Sequence, residues 1–83
     1  MYIREATLRA TLEAGQAIDE ATAMTTGTLA THLANAGEIT RDQVHRCRTH
    51  LATRAKKDLR RYAFLHTPGG KSLQPVTYWR LPQ

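Results

Sequence analysis

Two helix starts of the same construction lie close together near the middle of this sequence, and they restrict the fold more than any other feature. In the first, Met24 precedes Thr25 and Leu29 follows at the fourth position inside. In the second, Ile39 precedes Thr40 and Val44 follows at the same offset. A threonine oxygen at the cap satisfies a free N–H of the first helical turn. An apolar pair bracketing the cap forms a hydrophobic staple that fixes the entry of the chain. The second start adds Gln43 three residues after Thr40, completing the S/T-x-x-E/Q capping box. Between them, Asn35-Ala36-Gly37-Glu38 breaks the first helix, because Gly37 accepts a left-handed backbone. The pattern predicts a helix from Thr25 to about Ala34, a short turn, and a longer helix opening at Thr40. Leu29, Ala30 and Leu33 face inward on the first, where Gly27 is a weak point. Val44, Cys47, Leu51 and Ala55 form one face of the second, opposite Asp42, His45, Arg46, Thr49 and Thr53. Lys56-Lys57-Asp58 fits either its last turn or the loop that follows.

The flanks supply one more helix and a change of period. From about Tyr2 to Gly15, Leu8 and Leu12 are spaced for one helical face, with Ala6, Ala10 and Ala14 filling between and Gly15 as the stop. Gln16 to Ala23 fits two readings, a continued helical face or a connector that docks Ile18 on the core. After the long helix, Tyr62-Ala63-Phe64-Leu65-His66 reads as a strand, Thr67-Pro68-Gly69-Gly70-Lys71 as a turn, and Val76 to Leu81 as a second strand ended by Pro82. The expected fold is mainly α, three helices followed by a C-terminal β-hairpin, in one domain over residues 1–83. A chain of 83 residues buries only about 60–65% of its unfolded surface, enough for one core and no second lobe. Its single cysteine, Cys47, excludes an internal disulfide and a zinc knuckle built on paired cysteines. No apolar run approaches the roughly 18–20 residues needed to cross a bilayer. Met1-Tyr2-Ile3-Arg4-Glu5 is charged at once and lacks a signal-peptide core. The expectation is a soluble, cytoplasmic protein without a membrane partner.

Charge supplies the first functional clue. Residues 1–40 hold two basic side chains against five acidic ones, a net of −3, and residues 41–83 hold ten against two, a net of +8. Such asymmetry points to a polyanionic partner, nucleic acid above all, although a solvated basic face would look the same.

Helix, connector, helix, turn, capped basic helix and a hairpin with a basic glycine-containing tip: in this order the chain resembles a winged helix–turn–helix DNA-binding domain. The residues that carry the resemblance are Leu29-Ala30-x-x-Leu33, Gly37 in the turn, Thr40 to Leu51 as recognition helix and Phe64 to Leu81 as wing. Two departures stand out, a turn from Leu33 to Val44 longer than in compact members and a long bridge from Arg54 to Arg61. The resemblance implies duplex DNA binding by a small regulator of transcription or replication, bacterial or phage-type and associated with the nucleoid when bound. It implies occupancy rather than chemistry.

Recognition helices present their N-terminal residues to base edges in the major groove while neighbouring elements hold phosphates. The base-contacting candidates are therefore Arg41, Asp42, Gln43, His45, Arg46 and Thr49. Arginine pairs with guanine, glutamine with adenine, and aspartate accepts from cytosine. The phosphate-contacting candidates are Thr26, Thr28, Arg54, Lys56, Lys57 and Lys71. His45 and His50 lack a third ligand at metal-binding spacing, and no metal or other cofactor is expected. Cys47 on the apolar stripe reads as a buried, inert thiol. Tyr62, Phe64, Tyr78 and Trp79 can stack single-stranded bases or close a small core, and strand spacing favours the core. Gly69-Gly70-Lys71-Ser72 lacks the upstream glycine of a phosphate loop. No paired carboxylates and no Ser/His/Asp set can be assembled, so an enzyme is not expected. Two rival readings remain, a winged-helix protein–protein module serving as adaptor or subunit, and RNA binding through the basic half. The first helix also offers a face for pairing two copies as a homodimer.

Overall fold

The computed structural model of the chain describes residues 1–67, 69 and 74–83. Three α-helices and a three-stranded antiparallel sheet follow in the order α1 (Glu5–Ala14), β1 (Met24–Thr25), α2 (Thr26–Asn35), α3 (Val44–Asp58), β2 (Ala63–His66) and β3 (Val76–Trp79). A single 3-10 turn, Arg41–Gln43, leads into α3.

Each helix buries the stripe that its spacing predicts, with one exception. Leu8 and Leu12 of α1, Leu29, Ala30 and Leu33 of α2, and Cys47, Leu51 and Ala55 of α3 all enter one core. Val44 packs against its rim. The exception lies in α1, where Ala6, Ala10 and Ala14 are exposed and Thr11 is buried in their place. Burial of Thr11 is tolerable because its hydroxyl donates to the Thr7 carbonyl one turn back, at 2.8 Å. Gly15 ends α1 as expected but keeps a right-handed backbone, and the positive φ of 57° falls on Gln16. The glycine answers a different need: a Cβ there would stand 2.5 Å from the Met24 methyl.

The stretch from Gln16 to Ala23 is a connector. Ala17 docks on the core, whereas Ile18 is 57% exposed. A threonine turn holds it, with the Thr22 hydroxyl accepting from the N–H groups of Ile18 and Asp19. Gly37 adopts the left-handed conformation, φ 79°, right after α2. Ile39 and Met24, the outer members of the two staples, are both buried.

The sheet contains a strand that the sequence pattern does not show. β3 is central, in the order β1-β3-β2, and Trp79 lies opposite Met24 on one side and Ala63 on the other. Two residues are too few to display an alternating period, so β1 is defined by its partner. Trp79 and Tyr62 complete the core, fully buried against the helices. Both strands of the hairpin are shorter than their apolar stretches, since Tyr62 precedes β2 and Arg80 and Leu81 follow β3. The bridge from Arg54 to Arg61 is mostly helix, with α3 running through Asp58. The chain then reverses through Arg60 at φ 75°, its N–H donating to the Ala63 carbonyl at 3.0 Å. The proposed tip residues Pro68, Gly70 and Lys71 lie outside the described residues.

Candidate nucleic-acid interface

The start of α3 is built by its cap. The Gln43 carboxamide oxygen accepts from the Thr40 N–H at 2.9 Å, and the Gln43 N–H donates to the Thr40 carbonyl at 3.0 Å. This closes the first turn and leaves Gln43 half-buried. Gln43 therefore cannot present both halves of its amide to adenine without opening the cap.

The other five base-contacting candidates are exposed. Arg41 and Asp42 stand on the 3-10 turn, and His45, Arg46 and Thr49 follow on α3. The Thr49 hydroxyl donates to the His45 carbonyl at 3.3 Å, so its lone pairs still face outward. Among the described residues, Arg41, Asp42, His45 and Arg46 make no side-chain hydrogen bond and no ion pair. Lys56 and Lys57 are exposed in the last turn of α3, equally without ionic partners among those residues. The lysines also sit at the negative end of the helix dipole.

The phosphate-contacting candidates separate into free and committed groups. Arg54 is committed. Its Nε donates to Asp58 at 2.8 Å, and its guanidinium also reaches the Ile3 carbonyl. With only 16% of the side chain exposed, it ties the end of α3 to the segment before α1. Thr26 is half-buried, and its oxygen accepts the Trp79 indole N–H at 2.9 Å. Thr28 is exposed and bonded to the Thr25 cap, which accepts the Thr28 N–H at 3.2 Å and donates to its hydroxyl at 3.0 Å. Lys71 lies outside the described residues.

Sequence reasoning passes over Arg48, which the fold brings to this surface. Its guanidinium crosses the first turn of α2, with Nε 3.6 Å from the point where a Cβ on Gly27 would stand. Thr26, His45, Arg48, Thr49 and Ala52 line a shallow hollow of about 330 Å³ between the two helices. The available signal is spacing. Arg48 follows His45 by three positions, so the two share a flank of the helix. Gly27, a weak point within α2 by propensity, gives Arg48 room.

The remaining polar residues have simpler roles. Cys47 is buried, and burial pushes its thiol up from the ordinary value, away from the reactive thiolate. His50 is half-buried with Nε2 enclosed and without a hydrogen-bond partner among the described residues, and burial, then the nearby Arg54 charge, hold its pKa below the ordinary imidazole value. Among the described residues, no three His, Cys, Asp or Glu side chains are grouped to hold a metal ion, and no helix is long and apolar enough to cross a membrane. No family model matches the chain, and no curated protein or solved structure matches it significantly.

Proposed function

We propose that the chain is a winged-helix domain that binds duplex DNA sequence-specifically, with α3 in the major groove and the β2–β3 hairpin as the wing. The order of helices and strands, with β3 between β1 and β2, is compatible with that architecture. One observation carries the functional reading. The 3-10 turn and the N-terminal half of α3 expose Arg41, Arg46 and Arg48 together with Asp42 and His45, none engaged in a side-chain hydrogen bond or ion pair among the described residues. Arginine heads left without internal partners on a capped helix start are positioned for guanine edges and phosphates. Asp42 among them argues for base reading over a uniform polyanion grip, because a carboxylate facing DNA is tolerable only where it meets a donor. The domain acts by occupying a site, as a regulator of transcription or replication.

Because Arg54 and Thr26 serve the fold, phosphate holding falls to Arg48, Lys56 and Lys57, with Lys71 at the proposed tip. The test is equilibrium binding to random-sequence duplex DNA, the same sequence single-stranded, and duplex RNA, across a range of salt concentrations. About four to six phosphate contacts, each contributing about 0.9 log units per log unit of salt, give a steep decline on duplex DNA. Selection of bound sequences from a random pool then yields a consensus. A flat salt response, or tighter binding to single strands or RNA, would overturn the proposal.

A further inference from the structure

The outer face of the hairpin carries a row of π groups that the core does not use. Phe64 and Tyr78 are cross-strand partners with ring centroids 5.7 Å apart and 22° between their planes. His66 follows, edge-on to Tyr78 at 5.9 Å. At the other end the Arg80 guanidinium lies 5.6 Å from the centre of Phe64. Strand alternation puts these side chains opposite Ala63 and Trp79, which are buried in the core. The row is therefore additional to the folding core, although it steadies the hairpin.

Its Tyr78–His66 end opens into a hollow of about 410 Å³ lined by Glu20, Ala21, Ala23, Phe64, His66 and Tyr78. The connector that forms its other wall carries Asp19 and Glu20 and no basic residue. Asp19 is occupied, its carboxylate accepting from the Thr22 N–H and hydroxyl at 3.0 Å each. Glu20 is exposed and makes no hydrogen bond or ion pair among the described residues.

We propose that this hollow receives an arginine side chain of a protein partner, held between the aromatic row and the Glu20 carboxylate. Three features favour that occupant. A guanidinium is planar, packs on aromatic rings and pairs with a carboxylate in a fork geometry. The row already accepts one such group, because Arg80 lies against Phe64. The charge also discriminates: the carboxylate of Glu20 lines the hollow, so a nucleic-acid strand would bring its phosphates toward it. An aromatic row facing a carboxylate differs in chemistry from α3, and the proposal stands apart from the DNA reading.

The test is a titration of the intact protein, without nucleic acid, followed by the ring-proton resonances of Phe64, His66 and Tyr78. The probes are the peptide acetyl-Gly-Arg-Gly-amide and its citrulline counterpart, equal in shape and without the charge. The arginine peptide shifts the three rings saturably and the citrulline peptide does not. Glu20→Gln weakens the effect about two- to fivefold, the scale of an exposed ion pair, and Glu20→Lys abolishes it. Both substitutions fall on an exposed side chain, so amide resonances elsewhere report an unchanged fold. Equal shifts by both peptides, no saturable shift, or an undiminished response in Glu20→Lys would overturn the proposal. Saturable shifts of the same rings by a single-stranded oligonucleotide would do so as well.

Discussion

Trp79 joins the two parts of the core. It pairs across the sheet with Met24 and Ala63, and its indole N–H is satisfied by Thr26 at the start of α2. The aromatic content of the tail was enough to place Trp79 and Tyr62 in the core, but not to separate them from Phe64 and Tyr78. That separation depends on which face of the sheet meets the helices, which contacts of α2 with β3 and of α3 with β2 set. Leu51 is the clearest single test of the helical core, being fully buried at the centre of the α3 stripe. Leu51→Ala should cost about 2–5 kcal/mol in chemical denaturation, a large share of a small domain's stability. Cys47→Ser should destabilise as well, since it buries a hydroxyl among Leu and Ala side chains. Two residues with lowered values shape the response to acid. The folded state holds His50 below its ordinary value of 6.5, so the unfolded chain binds the proton more readily. Stability is full above that value and is lost as pH falls through it toward the folded value. Glu5, lowered from 4.5 mainly by the Tyr62 hydroxyl and then by Arg61, acts in the same direction in a more acidic window. Denaturation midpoints should therefore begin to fall below about pH 6.5 and fall again below about pH 4.5. His50→Gln should remove the first decline and keep the second.

At the scale of elements, the turn between α2 and α3 decides how the exposed face of α3 is aimed. Gly37 holds φ 79° there, and nothing among the described residues lies within 4 Å of a Cβ added to it. Its requirement for glycine is thus conformational and not steric crowding. Gly37→Ala should cost about 1–2 kcal/mol from the left-handed backbone alone, and Gly37→Asn distinctly less, because asparagine tolerates that region. Equal losses for the two variants, measured by thermal or urea unfolding, would place the cost elsewhere. Caps, staples and this glycine were legible because each is a local arrangement of a few residues with its own chemistry. What was not legible is set by distant partners. β1 exists because β3 lies beside it, and Met24 and Thr25 already had a complete reading as staple and cap. Arg54 and Asp58 are spaced as an i,i+4 pair, but nothing in the sequence shows the Ile3 carbonyl reaching the same guanidinium. A basic residue near the end of a basic helix reads as a phosphate contact until the fold supplies an internal acceptor.

The charge is divided by the fold as well as by the sequence, with Arg46, Arg48, Lys56 and Lys57 exposed along α3 and Glu20 exposed on the connector beside the aromatic row. The DNA reading makes a sharp distinction within the basic side. Arg46 is exposed on the second turn after the Thr40 cap, where side chains reach base edges. Lys56 is exposed in the last turn of the same helix, beyond the part that enters a groove. Both are single cations without ionic partners among the described residues, so neither change should disturb the fold. Removing a bidentate arginine–guanine contact costs about 1–3 kcal/mol on the preferred site and little on a mismatched one. Removing a phosphate contact weakens every sequence alike and lowers the salt slope by about one contact. Arg46→Ala should accordingly bring specific and scrambled duplexes close to the same affinity. Lys56→Ala should preserve their ratio at lower affinity and with a shallower salt dependence. Titrating both variants on both duplexes at several salt concentrations separates the two effects. If Lys56→Ala changes the sequence preference and Arg46→Ala does not, α3 meets DNA by its C-terminal end, and the assignment of base reading to its capped start is wrong.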